Sequence, residues 1–443
     1  MAKGTFLIKT FGCKVNQCES AFMIEVLIRH GFRPAQAGDP VDVCIVHGCA
    51  VTSRASYESR QALYQFHRRY PGAIAYVFTG CAAQYEGTDL ADRRLVTHLL
   101  GNLEKLDIGQ YLERPASLEH PVVAISDLRN HAGNPLKPIF YEHMLEDRSR
   151  AFIKIQDGCD SFCSYCIVPY TRGCRRSLPA EEVALEIKKV VEAGYNEVVL
   201  TGIHLGQWGQ DLSPAQTVVD LLKFLEQNGI LAPRLRLSSL EPSECTPDLI
   251  DYLKDKEWFC HHFHIPLQSG DSEILQLMGR PYDPAFYADV VRNIRAVFPD
   301  AAIGADVIVG FPGETEEMFR RTYELIESLP LTYLHVFPYS PRKGTPAAAL
   351  RGRLSGQEIK SRVSRLRKLG SVKKSNFMLS QVGRELDVIL ESQMDDDLWR
   401  ATSGNYLSVL VMNCNKGMPK GSLAKIRVTE YDVHRNMLVG MPV

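Results

Sequence analysis

The sequence predicts an α/β fold in three parts: an N-terminal domain on a parallel sheet, a central partial (β/α)6 barrel and a small C-terminal β-barrel. Three observations predict it. Short apolar runs alternate with helix-like stretches from the start of the chain, the order a parallel sheet needs. From about Phe152 the alternation repeats through six strand–helix units. After a basic stretch that ends at Lys374, short strands separated by turn residues take over, the pattern of a small barrel. The expected divisions are 1–140, 145–375 and 377–443.

In the first part, strands are expected over 6–11, 41–47 and 74–79, with helices over 17–30 and 53–69 between them. Each strand runs into a Gly-Cys pair: Gly12-Cys13, Gly48-Cys49 and Gly80-Cys81. The carboxyl ends of parallel strands share one edge, where ligands bind, and glycine permits a tight turn there. Three thiols far apart in sequence are thereby expected together, as a three-thiolate metal site. The alternative is three ordinary buried cysteines, since Cys is among the most buried residue types.

In the central part, strands are expected over 152–156, 197–200, 234–238, 262–267, 303–309 and 333–337. Helices are expected over 180–193, 215–228, 247–254, 284–298 and 316–328, several after a cap or proline such as Thr246-Pro247. The first strand leads into a C-x-x-x-C-x-x-C loop with Cys159, Cys163 and Cys166. Soft thiolates select iron in sulfide surroundings. Three of them can hold three irons of a cubane and leave the fourth iron open to a small molecule. A structural zinc needs a fourth ligand, and no His lies near enough in sequence to supply it.

Barrel chemistry gathers at the C-terminal ends of strands. There the sequence places Thr201-Gly202-Ile203-His204, Ser239-Leu240-Glu241-Pro242, Gln268-Ser269-Gly270, Gly310-Phe311-Pro312-Gly313-Glu314 and Pro338-Tyr339-Ser340-Pro341. Glycine and proline in these stretches also shape turns. His204 and His264 read as structural. Cys18, Cys44, Cys174, Cys245, Cys260 and Cys414 share no ligand spacing and read as small apolar or incidental residues.

The bulk numbers exclude several classes. Net charge is −1 over 443 residues, so no global field draws in nucleic acid and any RNA contact needs a local basic patch. No apolar run approaches the ~20 residues of a membrane span. The start lacks an uninterrupted apolar h-region, so no signal peptide is expected. Twelve cysteines without an export signal point to reduced thiols used for metal or redox chemistry, and the protein is expected in the cytoplasm. A basic helix carries Lys360, Arg362, Arg365, Arg367 and Lys368. It reads equally as a solvated linker or as a phosphate contact. Strands over 385–391, 398–401, 407–411, 423–428 and 437–441 follow, with Asp395-Asp396-Asp397 at a loop tip facing away from RNA.

The cysteine loop resembles the signature of radical S-adenosylmethionine (SAM) enzymes. The segments around Cys13, Cys49 and Cys81 resemble the N-terminal domain of the methylthiotransferase family, and the C-terminal strands resemble its RNA-binding TRAM domain. The run Gly12-Cys13-Lys14-Val15-Asn16-Gln17 is most similar to the subgroup that acts on N6-threonylcarbamoyladenosine. The resemblance implies two [4Fe–4S] clusters, on Cys159/Cys163/Cys166 and on Cys13/Cys49/Cys81, with SAM on the open iron of the first. It implies SAM contacts by Tyr165, Thr201, Gly202, Glu241 and Gln268.

The implied reaction splits SAM by one electron, and the resulting 5′-deoxyadenosyl radical attacks C2–H of a tRNA adenine beside the anticodon. The auxiliary cluster supplies sulfur, and a second SAM supplies methyl. The implied partners are tRNA through its anticodon loop, an electron donor such as flavodoxin or ferredoxin, and a sulfur donor. Isopentenyladenosine in tRNA, a ribosomal-protein aspartate, and a non-catalytic iron–sulfur RNA-binding role are the alternatives. One departure stands out: the family has Asn-Thr before the second cysteine, and this chain has His47-Gly48. His47 either tunes or covers the auxiliary cluster, or is a strand-end residue with a satisfied ring.

Overall fold

A computed structural model describes residues 3–128, 136, 138, 149–395, 397–414 and 417–443. The chain divides into two compact units. Unit 1 comprises Met1–Glu146, Gln156–Ser177 and Ser340–Ala348, and unit 2 the remainder. The cysteine loop therefore belongs to the same unit as the N-terminal sheet.

Unit 1 is built on six parallel strands: β1 (Gly4–Thr10), β2 (Phe32–Pro34), β3 (Val43–Gly48), β4 (Ala75–Gly80), β5 (His98–Leu100) and β6 (Val122–Ala124). Their order is β2-β1-β3-β4-β5-β6. The helices are α1 (Lys14–Arg29), α2 (Ser53–Arg69), α3 (Cys81–Glu86), α4 (Asp89–Asp92) and α5 (Ile108–Leu112). Along β3, Val43 and Ile45 enter one apolar core with Met23 and Leu27 of α1. Cys44 and Val46 enter another with Leu63 and Phe66 of α2. A parallel sheet covered on both faces reads as a continuous apolar run for this reason. The Thr52 hydroxyl accepts the Ala55 N–H and starts α2.

The chain then gives β7 (Ala151–Lys154) to unit 2 and returns to unit 1 as the ladder β8 (Gln156–Asp157) against β9 (Arg176–Ser177), which frames the cysteine loop and α6 (Val168–Arg172).

Unit 2 continues with α7 (Ala180–Glu192), β10 (Glu197–Thr201), α8 (Val218–Gln227), β11 (Arg234–Leu237), α9 (Pro247–Leu253) and β12 (His262–His264). It proceeds through α10 (Ser272–Met278), α11 (Pro284–Val297), β13 (Ala302–Val309), α12 (Glu316–Ser328), β14 (Tyr333–Pro338) and α13 (Gly356–Leu379). The six parallel strands form two ladders, β11-β10-β7 and β12-β13-β14. A Leu235–Phe259 bridge and the Leu240 N–H to His264 carbonyl bond (3.0 Å) connect them. Five strands close the C-terminal barrel in the order β15-β16-β17-β19-β18: β15 (Glu385–Asp395), β16 (Leu398–Ser403), β17 (Ser408–Met412), β18 (Leu423–Asp432) and β19 (Met437–Pro442). Cys414 lies in its apolar core. Of the acidic turn, Asp396 lies outside the described residues. None of the twelve cysteines is in a disulfide among the described residues, and no helix of the described residues is long and apolar enough to cross a membrane.

Candidate cluster and cofactor site

Strands β1, β3 and β4 are neighbours in the sheet, and Thr10–His47 and His47–Thr79 are register pairs. Their ends are therefore level. Cys13 stands at the N-cap of α1, Cys49 just past β3, and Cys81 at the first position of α3. Gly12, at φ +101°, lies so close to Cys49 that a Cβ there would come within 2.9 Å of the Cys49 sulfur. At Gly80, at φ +87°, a Cβ would overlap the His47 ring. The sequence thus brings the three thiols together as expected. Burial pushes the Cys49 thiol up to about 12, with Cys81 adding to the rise. Cys13 is accessible to solvent yet closely surrounded. Burial raises its thiol pKa too, and the Arg172 guanidinium opposes the rise. Three mutually interacting thiols beside a buried cation match the donor set of an anionic iron–sulfur centre.

The Cys159/Cys163/Cys166 loop is held by its own backbone. The Cys159 N–H donates to the Gly173 carbonyl (3.1 Å) and the Cys166 N–H to the Cys163 carbonyl (2.9 Å). The Ser161 N–H points at the Cys159 sulfur (3.5 Å). The Ala347 N–H donates to the Ser164 carbonyl (2.8 Å) beside Tyr165. Ala50, Cys81 and Ile167 then pack into one buried cluster, with Tyr85 against it. Ala50 follows Cys49 and Ile167 follows Cys166, so the backbones of both cysteine trios meet in this cluster.

A buried polar network, which the sequence reading missed, ties the trios further. Arg172 of α6 donates to Glu19 (3.0 and 2.9 Å), Asp157 (2.8 Å) and Asn16 (2.6 Å). Lys105 donates to Glu19 (2.6 Å) and Asn102 (2.5 Å). Asn16 lies against Cys13, and the Asn102 amide reaches the Cys81 sulfur (3.5 Å) and the Thr171 carbonyl. His47 is fully buried; its Nδ1 is 2.8 Å from the Ser20 hydroxyl and its Nε2 3.7 Å from Glu19. It is thus part of this network. The one signal available in the sequence was helical spacing: Asn16 and Glu19 lie one turn apart on α1.

In unit 2 the expected SAM residues lie at C-terminal strand ends. Thr201 closes β10, where its carbonyl accepts the Ile155 N–H (2.9 Å), and Gly202 follows it. Glu241 follows β11, takes the Arg280 guanidinium, and accepts a backbone bond at the start of a helical turn. Gln268 follows β12 in the left-handed region at φ +64°. Its N–H donates to the Asp306 carbonyl and its own carbonyl accepts from Ile308, both at 2.9 Å. A non-glycine residue held there costs energy and marks sites where surrounding structure fixes a functional geometry.

The basic helix α13 is less uniform than its sequence. Arg362 turns inward, buried, and pairs with Glu314 (2.7 Å), so its charge is spent inside the fold rather than on an outside phosphate. Lys360, Arg365, Arg367 and Lys368 are exposed, with Arg365 paired to Glu316 (2.5 Å).

A half-barrel of parallel strands whose first strand runs into a three-cysteine loop defines the radical SAM class. Residues 153–326 match the family model described as the Radical SAM superfamily, and residues 5–101 match one described as Uncharacterized protein family UPF0004. The chain is 32% identical over 443 residues to the threonylcarbamoyladenosine tRNA methylthiotransferase MtaB of Bacillus subtilis, covering 98% of this chain and 96% of the relative. It is 34% identical to the MtaB of Aquifex aeolicus, covering 90% and 95%. It is 35% identical to a tRNA-2-methylthio-N(6)-dimethylallyladenosine synthase of Clostridium tetani, covering 78% and 76%. In fold it is similar to the radical SAM methyltransferase TsrM of Kitasatospora setae, with a TM-score of 0.54, 14% identity, and 78% and 75% of the two chains covered. The chain belongs to the radical SAM methylthiotransferase family. Membership in the radical SAM superfamily implies a [4Fe–4S] cluster and SAM.

Proposed function

We propose that this protein methylthiolates C2 of N6-threonylcarbamoyladenosine beside the tRNA anticodon, giving the 2-methylthio form. The observation that carries the proposal is the buried Ala50–Cys81–Ile167 cluster, which draws the neighbours of both cysteine trios together within one unit. The names of the B. subtilis and A. aeolicus relatives support this base over isopentenyladenosine. Those names favour neither a ribosomal-protein aspartate nor a non-catalytic role.

In this reading Cys159, Cys163 and Cys166 hold one [4Fe–4S] cluster, and Cys13, Cys49 and Cys81 hold a second. When bound, the first supplies the electron that opens SAM and the second supplies or presents sulfur. The chain's own residues do the placing. Arg172 and Lys105 keep positive charge beside the second trio, and the buried network fixes the backbone that carries both. Thr201, Gly202, Glu241, Gln268 and Tyr165 hold SAM. Lys360, Arg365, Arg367, Lys368 and the C-terminal barrel meet tRNA, whose unpaired anticodon loop offers an accessible base. Flavodoxin or ferredoxin serves as electron donor, a separate sulfur donor restores the second cluster, and the tRNA substrate sets a cytoplasmic location. The three divisions 1–140, 145–375 and 377–443 then separate auxiliary-cluster, SAM and RNA roles.

The test is mass spectrometry of tRNA nucleosides and of ribosomal protein. The samples are cells lacking the chain and cells carrying wild type, Cys13→Ala or Cys159→Ala. The proposal expects 2-methylthio-N6-threonylcarbamoyladenosine with wild type alone, and the unthiolated base in the others. A change confined to isopentenyladenosine or to ribosomal protein overturns the assignment.

A further inference from the structure

A second residue set with metal-ligand chemistry lies in unit 2. Neighbouring strands of one parallel ladder supply it: His264 from β12, Asp306 from β13 and His335 from β14. Asp306 is the register partner of His335, and Gly304, two residues earlier on the same face, is the partner of His264. Side chains two apart on a strand share a face, and diagonal pairs lie within reach of long side chains. His264 Nε2 stands 2.9 Å and His335 Nδ1 3.1 Å from the same carboxylate oxygen, Oδ1 of Asp306. The three ligand atoms all lie within 4.8 Å of one another.

The ring of His264 is held from behind. Its Nδ1 is 3.1 Å from the Tyr333 hydroxyl, which is also 2.7 Å from Nε2 of His262. Gly304 makes this possible, because a Cβ there would overlap the Tyr333 ring. In the tautomer whose Nδ1–H donates to that phenol, Nε2 is the nitrogen left to ligate, and it faces the Asp306 carboxylate at 2.9 Å. A ligating imidazole whose other N–H is hydrogen-bonded is the usual arrangement around a protein metal, since the outer bond fixes tautomer and orientation.

We propose that His264, Asp306 and His335 form a divalent metal site for a borderline cation such as Zn²⁺, with Tyr333 orienting His264. Two imidazoles and one carboxylate suit Zn²⁺ and its neighbours among the transition metals. Tetrahedral ligands at ~2.1 Å from zinc stand about 3.4 Å apart, a few tenths more than the two separations to Asp306 Oδ1. His335 can supply the adjustment, because its side chain is 54% exposed. Three protein ligands leave a further position open, so the ion can accept an oxygen ligand, as catalytic zinc sites do. This proposal stands independently of the cluster chemistry.

The test uses the full chain with both cysteine trios loaded with iron and sulfide, so that free thiols do not capture the probe. The protein is dialysed anaerobically against graded ZnCl₂, and zinc and iron are counted by mass spectrometry. Zinc X-ray absorption reads the coordination shell. The expected result is about one zinc per chain in an all-nitrogen/oxygen shell at ~2.0–2.1 Å. His335→Ala and Asp306→Asn should bind at least tenfold more weakly with iron content unchanged, and Tyr333→Phe about tenfold more weakly. Three results overturn the proposal: no zinc retained by wild type, equal retention by wild type and His335→Ala, or a sulfur shell near ~2.3 Å that marks thiol capture.

Discussion

Replacing Arg172 by alanine tests the network that ties the cysteine trios. Arg172 is 2% exposed and donates four bonds, to Glu19, Asp157 and Asn16. Removing one partner of a buried pair leaves an uncompensated charge and costs about 3–5 kcal/mol. Here the low end applies, because neither acid is fully stranded. Glu19 keeps Lys105 at 2.6 Å, and Asp157 keeps Arg176 at 3.4 Å. A loss of about 3 kcal/mol corresponds to roughly 6–12 °C in the melting of a unit this size. The assay is thermal melting of cluster-loaded wild type, Arg172→Ala, Glu19→Gln and the double variant. Glu19→Gln should cost less in the Arg172→Ala background than in wild type, since the two groups share bonds. Strictly additive losses, or a shift under about 2 °C for Arg172→Ala, refute the reasoning.

Three further outcomes follow from single positions. Gly12→Ala puts a methyl 2.9 Å from the Cys49 sulfur at φ +101°; under the two-cluster proposal the variant should keep only about four of eight irons, with the SAM-cleaving set intact by Mössbauer and EPR spectra. Gln268 sits at φ +64°, where glycine is unstrained; Gln268→Gly should be about 1 kcal/mol more stable than Gln268→Ala, while both weaken SAM binding measured by calorimetry. Glu186 is buried, with Oε1 lacking a hydrogen-bond partner among the described residues, and burial raises it from 4.5 to about 7. The folded state therefore keeps a proton that the unfolded chain releases above about pH 4.5, and stability falls as pH rises to about 7. Glu186→Gln should recover up to about 3 kcal/mol at pH 8 and nothing below pH 4.5 in urea titrations; an equal effect at both pH values would refute the assignment.

What the sequence made legible follows local chemistry. The helix expected over 53–69 appears as Ser53–Arg69 because its cap, Thr52, and its apolar spacing are both written within one segment. The convergence of Cys13, Cys49 and Cys81 was legible because strand order can be read from alternation. Strands His98–Leu100 and Val122–Ala124 were not, since three residues carry no period. Helix Ser272–Met278 was also missed; seven residues are too few for a clear apolar stripe, although Asp271 caps it. The polar partners were the least legible. Arg172 and Glu19 are 153 positions apart, and Lys105 and Glu19 are 86 apart. Nothing local distinguishes a buried arginine from a solvated one, which is also why Arg362 read like its exposed neighbours on α13.

The buried charges around Arg172 acquire a purpose when they are set beside the thiols. Lys105 and Arg172 pair with Glu19, and Arg172 and Arg176 pair with Asp157. Buried charge without a partner is expensive. The Arg172 guanidinium also interacts with the thiols of Cys13, Cys49 and Cys81, and burial favours the protonated form of the first two until a metal displaces their protons. The thiolate-bound centre proposed above would place negative charge beside that buried cation. His47 belongs to the same network, with its imidazole 3.7 Å from Glu19 and 2.8 Å from the Ser20 hydroxyl.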